Sequence, residues 1–198
     1  MLNGMISSVS SVSGGGAISD VYSDKTDDNY GLGENITFHA DAVDNIALGA
    51  NALNSTTGEA IRNIGIGTGA GTAINYGDAN IAIGYTAGAA ITVNTGNIAI
   101  GYQALLTANN GENYNIAIGY GAQSNVDNET AVHNVGIGYQ ALEGGGSTGN
   151  YNTVIGSMAG DGSSNAADNA VIIGAQAGRG DLTAAADLVS KTLGSSTN

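Results

Sequence analysis

The residues equipped for chemistry are few and scattered. Asp78, Asp127, Glu129, Asp161 and Asp168 stand in Gly- and Asn-rich stretches, and carboxylate oxygens beside turns are the ligands Ca²⁺ takes. None of them falls in an EF-hand loop or in the Gly-Gly-x-Gly-x-Asp array of calcium-binding rolls. The expected reading is therefore solvated loop carboxylates and no cofactor, with loop-bound calcium as the alternative. His39 and His133 lie in unlike settings, and no paired-carboxylate cleft or phosphate loop accompanies them. Gly65-Ile66-Gly67-Thr68-Gly69 is not a dinucleotide fingerprint, because no strand-to-helix turn follows it. Arg179-Gly180-Asp181 spells an integrin-recognition tripeptide, but reads more simply as an exit turn followed by a helix N-cap. No enzyme is expected from this set. The more ordered chemistry is aromatic: Tyr85, Tyr102, Tyr120 and Tyr139 recur at one position of a repeat. Such a column is either a platform that stacks on sugar rings or a ladder that stabilises the fold or a chain-to-chain contact.

What positions these residues is the repeat itself. Asn97-Ile98-Ala99-Ile100-Gly101-Tyr102-Gln103-Ala104 is written eight times, aligned on Gly49, Gly67, Gly84, Gly101, Gly119, Gly138, Gly156 and Gly174. The intervals are 18, 17, 17, 18, 19, 18 and 18 residues. Three positions beyond each glycine stands an alanine, from Ala52 to Ala177, and one position before stands Leu48 and then isoleucine. Four before, Asn45, Asn63, Asn80, Asn97, Asn115, Asn134 and Asn152 fill every copy but the last, which has Ala170. Self-similarity at a short fixed period is the signature of a solenoid.

Within each copy the residues alternate. Ile98 and Ile100 share one face of a strand, and Ala99 and Gly101 share the other. The expectation is that the aliphatics fill the interior of a thin roll. The Ala/Gly face would then lie outside, where small residues let another chain's backbone come close. The asparagines are expected at the bend entering each strand, bonding coil to coil and tolerating left-handed backbone. The polar spacers, such as Thr107 to Glu112, are expected as loops on one face of the stack. Asn35 to Ala42 reads as a degenerate first coil, with His39 where the glycine belongs.

The flanks differ in character. Residues 1–34 form an expected docking arm, in which residues 1–30 are Ser- and Gly-rich with scattered apolar positions. Residues 35–178 are the repeat domain. Residues 179–198 are an expected helical cap, since Leu182, Ala186, Val189 and Leu193 fall on one helical face after Asp181. Net charge is −13 with four basic residues, which opposes binding to nucleic acid or anionic lipid. The chain has no cysteine, no window of about 20 apolar residues and no basic n-region near Met1. Neither membrane insertion nor a secretory signal is expected. An ice-binding solenoid would need a flat Thr or Ser array, whereas Ala, Gly and Tyr stand in register here.

Asn-Ile-Ala-Ile-Gly-x-x-Ala, as in Asn80 to Ala87 and Asn97 to Ala104, resembles the head repeat of trimeric autotransporter adhesins. The same repeat occurs in fibres and spikes of bacterial viruses. The resemblance covers roughly residues 35–178. It implies an all-β, left-handed parallel β-roll of about eight repeats, packed as a homotrimer. The family's repeat is shorter than the 17–19 residues found here, so the loops or the cross-section must be larger. Neither the secretion signal nor the membrane-barrel anchor of an autotransporter is expected with this repeat. The expected function is accordingly a non-enzymatic fibre or spike of a bacteriophage virion, made in the host cytoplasm and displayed on the particle surface. Its expected partners are other virion proteins, through residues 1–30, and a host surface glycan or protein. The alternative is a self-assembling extracellular filament subunit or a cell-surface adhesin head.

Overall fold

The computed structural model describes residues 21–24, 29–39, 41–54, 58–109, 111–125, 131–144, 149–162 and 168–179. The segment expected as a C-terminal helix, 181–194, lies outside them, as do residues 1–20 of the expected arm. Ten short strands follow in chain order: β1 (Val21–Asp24), β2 (Asn29–Leu32), β3 (Ile46–Leu48), β4 (Ile64–Ile66) and β5 (Ile81–Ile83). The second half comprises β6 (Ile98–Ile100), β7 (Ile116–Ile118), β8 (Val135–Ile137), β9 (Thr153–Ile155) and β10 (Val171–Ile173). They form one sheet in which spatial order equals chain order. From β2 to β10 every pairing is parallel, and equivalent residues face each other, as in Ile81↔Ile98, Ala82↔Ala99 and Ile83↔Ile100. This is an all-β parallel solenoid, and no helix occurs among the described residues.

The strands are three residues long because special backbone brackets them. The repeat glycines take φ between 119° and 138°, which ends each strand. A side chain there would strike the neighbouring coil: a Cβ on Gly101 would stand 2.4 Å from the carbonyl oxygen of Gly119. The close backbone approach expected at the glycines is therefore real, but the approaching backbone belongs to the next coil of the same chain. The first of the remaining corners precedes each buried asparagine, as in Ala79 (φ 56°), Tyr114 (57°) and His133 (59°). The other two lie on the return, as in Gln103 (53°) and Leu105 (51°). These corners are left-handed in residues that carry a full side chain, at about 1–2 kcal/mol each. Coil-to-coil bonds offset that strain: Gln103 N donates to Tyr85 O at 3.0 Å and Leu105 N to Ala122 O at 2.9 Å. The left-handed residue at the strand entrance is thus the one before the asparagine, not the asparagine itself.

The asparagines are buried and form a continuous ladder. Each Oδ1 accepts from the backbone N of the next, at 2.8 Å for Asn63→Asn45, 2.9 Å for Asn80→Asn63 and 2.9 Å for Asn97→Asn80. The amide ends reach forward as well, with Asn63 Nδ2 donating to Gly77 O at 2.7 Å and Asn80 Nδ2 to Asn94 O at 2.7 Å. The ladder begins at Asn29, whose Oδ1 accepts from Asn45 N at 3.0 Å and whose Nδ2 donates to Ala42 O. The degenerate first copy is therefore Asn29-Tyr30-Gly31-Leu32-Gly33, with Tyr30 paired to Ile46. Asn35, expected to open that copy, is instead a left-handed corner residue with φ 54°. Ahead of it, β1 pairs antiparallel with β2 and closes that end of the parallel ladder.

The interior is lined by the face expected outside. Ala47, Ala82, Ala99 and Ala117, at the centres of their strands, are fully buried, while the residues flanking them are half-buried or exposed. The roll takes alanine or glycine at the strand centres from β3 to β8, and the branched Val154 and Ile172 at the centres of β9 and β10. Its volume is filled from the return, by Leu53, Ile74, Ile91, Leu105 and Leu142. Size is exchanged locally to keep interior density. Gly65 occupies a strand centre because a Cβ there would stand 2.7 Å from Leu53 Cγ. Gly136 leaves room for Gln123, which replaces leucine on the return and donates to Ile116 O at 2.8 Å. Gln123 Oε1 is buried with no partner among the described residues, and the apolar core divides after this coil, with Ala117 and Ala122 in one cluster and Ala141 onward in the other.

Candidate functional site

The outer surface of the sheet is built from what the alternation turns outward. Two columns run along it, from Ile46 to Val171 and from Leu48 to Ile173, aliphatic except at Thr153. They are half-buried by their neighbours in mid-stack and more open at the ends, reaching 60% exposure at Val171. No charged residue stands in either column, although the chain carries 17 acidic residues. With eight strands, β3 to β10, about 4.8 Å apart and each about 10 Å long, the strip covers roughly 400 Å². An apolar patch of that size is on the scale of the largest on an ordinary monomer, and such patches are often functional.

Aromatic ladders border the strip. Tyr85, Tyr102, Tyr120 and Tyr139 stack face to face, with centroids 5.2, 4.8 and 5.3 Å apart and planes within 22°. They occupy the first corner after the repeat glycine, in a tight turn closed by bonds such as Ala104 N→Gly101 O. On the strand's other side, Tyr114, His133 and Tyr151 stack at 5.1 and 5.0 Å. The sequence reading missed this second ladder because its residue types differ. Its signal was position alone, immediately before Asn115, Asn134 and Asn152. In both ladders the ring faces are occupied by neighbouring rings. Sugar stacking on a tyrosine face, one of the two expected roles, is left with only the terminal faces of a column.

The carboxylates considered for calcium have other employment. Asp78 Oδ1 accepts from Ile61 N at 2.9 Å, Asp168 Oδ1 from Asn150 N at 2.6 Å, and Asp161 pairs with Arg179 at 3.2 Å. Asp127 and Glu129 lie outside the described residues, as do Gly180 and Asp181 of the tripeptide. Among the described residues no three His, Cys, Asp or Glu side chains cluster as a metal group would require. His39 lies beside Asp41, at 3.6 Å, remote from His133 in its ladder. Burial raises the Glu143 carboxyl above its ordinary value, and nearby Asp161 adds to the rise. The Ser124 hydroxyl, donating at 3.1 Å, and Gln140 oppose it. Gly145-Gly146-Ser147-Thr148-Gly149 has the Gly-x-Ser-x-Gly spacing of a nucleophile elbow, which the sequence reading overlooked. Residues 145–148 lie outside the described ones, and Gly144 before them is in no strand. No family model matches the chain, and no curated protein or solved structure is significantly similar to it.

Proposed function

We propose that this chain is a non-enzymatic structural rod: a homotrimeric fibre or spike component of a bacteriophage virion that projects from the particle and contacts the host surface. The single observation that carries self-association is the uncharged aliphatic strip, and the number three rests on the resemblance. A monomer would leave two columns of branched side chains in water along the whole sheet. Copies of one chain meet that need symmetrically, since each presents the same columns at the same pitch. Acidic residues elsewhere keep finished particles apart. The virion setting, the left-handed coiling, the docking role of residues 1–30 and the C-terminal helical cap rest on the resemblance and the sequence pattern. The antiparallel β1 favours a discrete particle over an end-to-end filament, because it interrupts the parallel template at that end.

Native mass by light scattering tests the assembly. Three chains per particle are expected. Ile83→Lys with Ile100→Lys would place two charges in the strip and give monomers whose circular dichroism is unchanged. A wild-type monomer, or a variant that stays trimeric, would refute the strip as the interface.

A further inference from the structure

The tyrosine column carries a second inference, which deepens the reading of a rod that touches a surface. Its rings are held at steps of 5.2, 4.8 and 5.3 Å by a backbone that cannot change pitch without breaking the sheet. With the faces stacked, what the column offers outward is ring edges and hydroxyls. The four residues are 51, 41, 49 and 44% exposed. None of their hydroxyls is hydrogen-bonded to the chain among the described residues. The row continues at either end with the exposed hydroxyl residues Thr68 and Ser157. A phenol both donates and accepts, so this is a linear comb of hydrogen-bonding groups, one per coil. It stands at the corner beyond each glycine, outside the strip assigned to sister chains.

We propose that this column binds an extended, uncharged, 1,4-β-linked polysaccharide lying parallel to the solenoid axis, one sugar per coil. The pitch selects the polymer. An extended polypeptide advances about 3.3 Å per residue and falls out of step with the column within two coils. A polyanion is repelled by a chain of net charge −13. A 1,4-β-linked hexose chain is a flat ribbon that advances by nearly one coil rise per residue, with equatorial hydroxyls along both edges. The 1,4-α-linked isomer coils and loses that step. Each contact is worth little alone, but the comb supplies several at a fixed spacing, so their effects multiply.

Co-sedimentation with crystalline cellulose and with chitin, using insoluble starch as the coiled control, tests this. The full chain should be retained on the β-linked polymers and not on starch. Tyr102→Phe with Tyr120→Phe keeps the stack and removes two hydroxyls. It should weaken retention about thirtyfold, two hydrogen bonds being lost at a net worth of roughly 1 kcal/mol each, with an unchanged melting temperature. Failure of the wild type to bind either β-linked polymer, equal retention on starch, or equal retention of the phenylalanine variant would each overturn the proposal. Native mass measured on the same samples separates the two readings. An intact trimer that ignores the polymers sinks only the binding site, and retention by a monomer sinks only the assembly.

Discussion

Two rungs of the asparagine ladder that look alike in sequence should differ sharply in energy. Asn63 works at both ends. Its Oδ1 accepts from Asn80 N at 2.9 Å, and its Nδ2 donates to Gly77 O at 2.7 Å. Asn97 works at one end: its Oδ1 accepts from Asn115 N at 2.9 Å, while its Nδ2 is buried with no partner among the described residues. Replacing either by alanine creates the same small cavity, so that cost cancels in the comparison. Asn63→Ala orphans a buried N–H and a buried carbonyl, whereas Asn97→Ala orphans one N–H and removes a donor that was already unsatisfied. At about 2 kcal/mol per orphaned buried group, the losses are roughly 4 and about 2 kcal/mol. Guanidinium unfolding followed by far-UV circular dichroism reads the difference. Because solenoid coils interact only with their neighbours, the two midpoints should be compared within one transition. Equal losses, or a larger loss at Asn97, would show that the amide half of the ladder contributes nothing.

Gly101→Ala should unfold the coil rather than merely disturb assembly, since its Cβ would stand 2.4 Å from Gly119 O; retention of the wild-type melting temperature would contradict this. Gln103→Gly, an exchange that ordinarily loosens a chain, should stabilise by about 1 kcal/mol because Gln103 is held at φ 53°; a lower midpoint would show the side chain matters more than the corner. Glu143→Gln should raise the melting temperature slightly at neutral pH. The raised carboxyl value means the charged form is disfavoured in the fold. That cost acts above the carboxylate's folded value and vanishes below its unfolded one, so the gain should disappear in acid. A gain that persists at low pH would assign it to something other than charge.

The residues whose identity is dictated by backbone geometry were legible in the sequence. Only glycine survives where Gly101 meets Gly119 O, and only an asparagine supplies an acceptor and a donor in one short side chain at Asn63. These fixed period, strand position and solenoid class. The sidedness was not legible, because both faces of Ile98-Ala99-Ile100 are apolar and alternation reports a period without saying which face is interior. The answer lay on the return, where Leu105 and Ile91 already occupy the volume that Ile98 and Ile100 would need. The corner residues were hidden for a different reason. Leu105, Gln103 and Ala79 are not residues that favour left-handed backbone, and they adopt it because neighbouring coils bond their N–H groups there. The Tyr114–His133–Tyr151 ladder escaped notice because stacking tolerates a change of ring where a motif search does not.

The bonds between coils all run along the axis, and that has a mechanical consequence. A pull on the two ends of the chain loads one coil boundary at a time, peeling its bonds in succession instead of shearing them together. A coil of 17–19 residues that lets go contributes roughly 60 Å of extended chain, in exchange for a stack about 4.8 Å shorter. A rod built this way resists bending and sideways load while it is whole. Under tension it yields in equal small steps, each releasing more than ten times the length it gives up, and so behaves as a tether with slack wound into it.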